Sequence, residues 1–196
     1  MSVAPYDNFN LAYHVGDDVM AVQHNRTLLR QHLPADPVWL NQVHGVAVHE
    51  VTHSNRYHPE LRDADALVTR LPNVPLAIMT ADCLPVLLTD VQGTVVAAAH
   101  AGWRGLLAGV LENTIAAMQR APAELLVYLG PAIGADAFEV GAEVRDAFVA
   151  QDAAADEAFV ISTSADMGVH ITPSQLKYRA NLGGLAGMRL KKQGVR

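Results

Sequence analysis

His44, Cys83 and His100 supply two imidazoles and one thiolate, three donors of the borderline-soft kind that zinc accepts. Three protein ligands leave a fourth position for water or substrate, which is the catalytic rather than the structural zinc pattern. No two of the three are close in the chain, so only the fold can bring them together. Each also has an ordinary structural role open to it. Cys83 can be a small buried hydrophobe, and His100 a hydrogen-bonded core histidine closing an apolar strand. His44, in Asn41-Gln42-Val43-His44-Gly45, can be a polar turn residue.

Further chemistry clusters around these three. In Gly102-Trp103-Arg104-Gly105 two glycines frame a turn from the strand ending at His100 into a helix. Free N–H groups at that helix start, with the Arg104 guanidinium, form an anion site suited to phosphate. The same residues also read as a tight strand-to-helix connection with Arg104 merely exposed. Gly130-Pro131-Ala132-Ile133-Gly134 is a second glycine-bounded loop, followed by Phe138 and Glu139. Phe138 could stack on a planar ring and Glu139 could bond its edge; otherwise Phe138 is core and Glu139 favours a helix N-terminus. Asp82, beside Cys83, could orient a ligand histidine or satisfy backbone donors in a turn.

The elements that must hold these residues follow from periodicity. Strands are expected at Val38–Val43 and Val46–Val51 with His44-Gly45 as the turn between them. Others are expected at Ala66–Thr69, Leu76–Thr80, Val86–Asp90, Thr94–His100, Leu125–Leu129 and Phe159–Ser162, all rich in Val, Ile and Leu. Polar Thr52–Asp65 reads as a surface excursion. Helices are expected at Asp18–His32, Arg104–Gln119, Val140–Ala150 and Ser174–Lys192. The second has Leu107, Val110, Leu111, Ile115 and Met118 on one stripe. The last follows the start signal Thr172-Pro173 and ends in Arg189, Lys191 and Lys192. Strands and helices alternate irregularly, so the fold class is α/β with a mixed sheet covered by helices.

Composition narrows the function classes. Apolar residues make up 51% of the 196-residue chain, which suits one domain over residues 1–196 with a real core. A net charge of −6 offers no basic surface for nucleic acid. A single cysteine excludes an internal disulfide framework and suits a reducing compartment. No apolar run is long enough to span a bilayer, and the N-terminus lacks a signal-peptide pattern. A cytoplasmic enzyme acting on small molecules, with no membrane partner, is the expectation; nothing here fixes an oligomeric state.

Tyr6-Asp7-Asn8-Phe9-Asn10-Leu11, His14-Val15-Gly16-Asp17-Asp18, Trp39–Gly45, Met79–Pro85, His100–Gly105 and Leu129–Gly134 occur in this order. Together they resemble the YfiH-type proteins, from about Pro5 to the C-terminus. That bacterial group has carried the names polyphenol oxidase and multicopper laccase-like protein. It is also described as purine nucleoside phosphorylases with adenosine deaminase activity, and one branch as a peptidoglycan editing factor.

The resemblance implies a layered α/β/β/α sandwich with mixed sheets, and zinc on His44, Cys83 and His100. It also implies that family segments before the Tyr-Asp motif and after the last helix are missing, so that a zinc-binding but inactive homologue is one expectation. The leading expectation is a zinc-dependent purine nucleoside phosphorylase with adenosine deaminase activity. In it Arg104 holds phosphate, and Asp82, Phe138 and Glu139 line the substrate site. A peptidoglycan-editing hydrolase acting on a muropeptide precursor is an alternative that only the resemblance implies. Copper-dependent polyphenol oxidation is another, but a laccase array needs further histidine-rich copper sites. The nine histidines include no His-x-His pair and none flanks Cys83.

Overall fold

The computed structural model describes residues 1–57, 61–162 and 176–195. A mixed five-stranded sheet dominates it, formed by β2 (Val48–Val51), β4 (Ala66–Thr69), β6 (Val96–Ala101), β5 (Leu84–Asp90) and β7 (Leu125–Leu129), in that spatial order. Only β2 and β4 run parallel; the other neighbours are antiparallel. Two-residue strands β1 (Leu40–Asn41) and β3 (Arg62–Asp63) pair in parallel. An antiparallel sheet of β8 (Glu139–Gly141), β10 (Lys177–Ala180) and β9 (Phe159–Ile161) completes the set.

The layering follows from which side chains each strand buries. Along β5, Leu84, Val86 and Leu88 point into the main core while Leu87 faces outward, the period-two pattern of a half-covered strand. Each Leu or Val so buried contributes about 1.5–3 kcal/mol. Strand β4 is buried at all four positions. Ala66 and Val68 join the main core, whereas Leu67 packs with Leu40, Val51 and Ala64 in a second, smaller one. Strand β6 is built largely of alanine, and helix α3 (Val110–Met118) lies against β2, β4 and β6. Small side chains let a helix approach a sheet closely. His100 is the polar residue of that strand and is only 3% exposed. Helix α4 (Ala142–Gln151) packs on β8 and β10, and α5 (Leu182–Lys192) packs against α3. Helix α1 (Val19–Arg30) starts at Asp18, whose carboxylate accepts from the Met20 N–H. Among the described residues no helix is long and apolar enough to cross a membrane.

Several expected elements differ. His44-Gly45 is not a hairpin turn, because β1 pairs with β3 and β2 with β4. Most of Leu76–Thr80 is not strand; Leu76 makes an isolated bridge to Val38. The expected helix Arg104–Gln119 is two, α2 (Trp103–Ala108) and α3, broken at Gly109 with φ +103°. The apolar stripe survives the break, which is why periodicity does not reveal it. Val140 belongs to β8 rather than to a helix. The expected helix Ser174–Lys192 divides into β10 and α5, joined at Asn181, whose side chain accepts from the Gly184 N–H. Its proposed start, Thr172-Pro173, lies outside the described residues. Tyr178 and Ala180 bury on alternate positions with Arg179 between them, a strand pattern too short to stand out in the sequence.

Candidate metal centre

His44, Cys83 and His100 arrive from three different places in the chain. Cys83 precedes β5, His100 lies near the end of β6, and His44 sits in the loop after β1. Pairing of Pro85 with His100 and Leu84 with Ala101 sets Cys83 beside the end of β6. Atoms able to ligate a metal on the three residues lie within 4.8 Å of one another. The Cys83 Sγ and His44 Nε2 are 3.8 Å apart, against about 3.6 Å for two ligands of one tetrahedral zinc. The two imidazole rings are edge-on, with centroids 4.7 Å apart. His44 is exposed, Cys83 half-buried and His100 buried, so the cluster is rooted in the core and open to solvent. This donor set fits a single metal ion with a free coordination position. Among the described residues no other such group of His, Cys, Asp or Glu is present.

The loop carrying His44 is shaped by Asp65, which is fully buried at the start of β4. Its carboxylate accepts from the N–H groups of Val43 at 3.2 Å, His44 at 2.9 Å and Gly45 at 2.6 Å. Three successive amides turned onto one anion require an unusual backbone, and His44 has φ +60°. The same carboxylate accepts from His100 Nδ1 at 2.8 Å, and the Asp65 carbonyl accepts from the His100 N–H at 2.7 Å. Burial pushes the Asp65 pKa up, but these bonds outweigh it and hold the carboxyl below its usual range. Burial also lowers the His100 pKa, partly offset by Asp65, which favours the neutral imidazole a metal needs.

Glycines provide the remaining room. A Cβ on Gly102 would stand 2.7 Å from Cys83 Sγ and 3.1 Å from His44 Cδ2. A Cβ on Gly105 would stand 2.9 Å from the Gly45 carbonyl oxygen. Helix α2 can therefore press against the His44 loop and the Cys83 turn. Gln42 pins the approach to Cys83: its side chain donates to the Met79 carbonyl at 2.7 Å and accepts from the Met79 N–H at 2.8 Å. Burial raises the Cys83 thiol pKa, with Asp82 and Asp65 adding to the rise and Arg104 opposing it. A cation is then needed to hold the thiolate near neutral pH.

The other expected residues are placed as follows. Arg104 is exposed in the first turn of the six-residue α2, its guanidinium 4.5 Å from the centroid of the Trp103 ring. Asp82 is exposed, and its carbonyl accepts from the Ile133 N–H at 2.9 Å. That bond lays the Gly130–Gly134 loop alongside the Cys83 turn. The carboxylate hydrogen-bonded to the His100 ring is Asp65, not Asp82. Phe138 is half-buried against the main core, and Glu139 accepts from the Ser162 hydroxyl at 2.8 Å. Sequence reading placed Asp65 at the end of a surface excursion. The one signal against that was its position directly before the apolar run Ala66–Thr69.

The family model described as multi-copper polyphenol oxidoreductase laccase matches residues 1–196. The chain belongs to this family. Its relatives include a purine nucleoside phosphorylase, PA4543, of Pseudomonas aeruginosa, 51% identical over 195 residues, covering 100% of this chain and 74% of the relative. Purine nucleoside phosphorylase YfiH of Escherichia coli is 47% identical over 197 residues, covering 100% of this chain and 75% of that protein. The crystal structure of Neisseria meningitidis protein NMB0706 superposes with a TM-score of 0.86 at 46% identity, covering 100% of this chain and 75% of that one. The YfiH-type family and its mixed α/β fold, expected from the ordered motifs, are thus both found.

Proposed function

We propose that this chain is a zinc-dependent purine nucleoside phosphorylase that also deaminates adenosine. One observation carries the reading: an open His44–Cys83–His100 cluster, in a chain wholly covered by relatives named purine nucleoside phosphorylase. His44, Cys83 and His100 hold the metal, which when bound supplies Lewis-acid polarisation at its free position. Arg104, exposed beside the cluster and near enough to influence the Cys83 thiol, holds phosphate through its planar fork of donors. With α2 only six residues long, the guanidinium rather than the helix dipole supplies most of the attraction. Asp82 and the loop leading to Phe138 and Glu139 contact the nucleoside, since the Asp82–Ile133 bond brings that loop to the Cys83 turn.

Purified protein incubated with adenosine and phosphate is expected to yield adenine and ribose 1-phosphate, with inosine as the deamination product. Neither product from zinc-loaded protein overturns the reading. Copper chemistry is separated from it by metal analysis of protein purified without added metal. Stoichiometric copper with a visible thiolate band would favour the oxidase name of the family.

A further inference from the structure

We propose that Asp65 is the positioning residue of the metal centre, fixing the shape of the His44 loop and the ligand nitrogen of His100 together. The inference rests on the zinc reading of the site and deepens it. A carboxylate can only accept, so the 2.8 Å contact with His100 Nδ1 places the proton on that nitrogen and leaves Nε2 bare toward the cluster. Through its other bonds the same group sets the left-handed conformation that presents His44. One buried anion therefore selects a tautomer in one ligand and a backbone conformation in another.

The bond geometry makes the charge and symmetry of the carboxylate indispensable. Oδ1 accepts from the His44 N–H and His100 Nδ1; Oδ2 accepts from the Val43 and Gly45 N–H groups. An asparagine of the same shape must turn its NH2 toward one of these pairs. Toward Val43 and Gly45 it meets two N–H groups and the loop opens. Toward His44 and His100 it meets the fixed His44 N–H, and its clash with the ring is relieved only if the imidazole proton moves to Nε2, which removes the lone pair that would ligate the metal. Either way the site is weakened while its three proposed ligands remain.

The test compares wild-type protein with Asp65→Asn for zinc affinity, by competition with a chromophoric chelator, and for the cobalt(II) thiolate spectrum. Asp65→Asn is expected to bind zinc about 10–100-fold more weakly and to give an altered cobalt spectrum. Equal affinity and an unchanged spectrum overturn the proposal. Nitrogen NMR of metal-free wild-type protein reads the His100 tautomer directly and decides the matter if Asp65→Asn fails to fold. A proton on Nδ1 supports the assignment, and a proton on Nε2 overturns it. Wild-type protein that binds zinc tightly but releases no base from nucleosides refutes the functional reading and leaves this inference standing.

Discussion

Asp65 and Asp90 stand at opposite ends of the five-stranded sheet, both buried and both saturated with donors, yet they serve different purposes. Asp90 closes the β5–β6 hairpin. It accepts from the Thr94 N–H at 2.6 Å, the Thr94 hydroxyl at 2.5 Å, the Val95 N–H at 3.3 Å and Arg120 Nε at 3.1 Å. Every one of those donors is used up by the bond. Asp65 gathers a similar number, but two belong to residues with unspent chemistry, the His100 ring and the His44 backbone. A buried, satisfied carboxylate is therefore no sign of function by itself. What distinguishes the site is that the two residues held by Asp65 carry imidazoles that meet a thiol in one open cluster.

The largest effect that would bear on this contrast comes from the ligands. Cys83→Ala removes the chain's only thiolate and is expected to abolish both stoichiometric zinc binding and turnover, measured by metal analysis and a phosphorolysis assay. Turnover that persisted would detach the chemistry from this end of the sheet. Next, Asp90→Asn should lower the thermal midpoint while leaving zinc affinity at the wild-type value. A loss of zinc affinity there would erase the distinction between the two aspartates.

Gly102→Ala should act more mildly and locally. Gly102 has φ −63° and ψ 159°, a conformation any residue adopts, so what opposes a methyl group is the approach to Cys83 Sγ at 2.7 Å and to His44 Cδ2 at 3.1 Å. Zinc affinity should fall while the unfolding midpoint moves little, and a variant with wild-type affinity would show that α2 can yield.

The smallest effects come from acid, and they should separate in pH. His100 has an ordinary value of 6.5, lowered by burial, so protons compete for its imidazole only as pH falls below that value. The bonds to Asp65, against the opposing pull of burial, and the Thr94 hydroxyl on Asp90 hold both carboxyls below their ordinary 3.8. Their stabilisation is complete above 3.8 and is lost as pH drops through the lower folded-state values. Zinc should therefore leave first, as pH falls below 6.5, with unfolding following below 3.8. Coincident transitions, followed by a zinc indicator and by circular dichroism, would mean that the metal end and the hairpin end share one fate.

Much of this arrangement was legible in residue order. The periodicities of β4, β5, β6 and β7 are local, and so is the cap at Asp18, because side-chain spacing fixes which face a segment buries. The three candidate ligands were legible as types, since only a few side chains ligate zinc. Asp65 was not, because its role depends on four donors from residues 20 to 35 positions away. Neither was the break at Gly109, which leaves the apolar stripe intact, nor the strand Lys177–Ala180, which is too short for its alternation to stand out from the helix that follows.

The sequence by itself determined the donor set, the family and the mixed α/β class, all of which rest on residue identity and short-range order. Tertiary structure alone decided that the donors meet, that Asp65 rather than Asp82 holds His100, and that Gly102 leaves space for the thiol. Those are matters of ångström-scale distance between segments far apart in the chain, and strand register, not spacing, sets them.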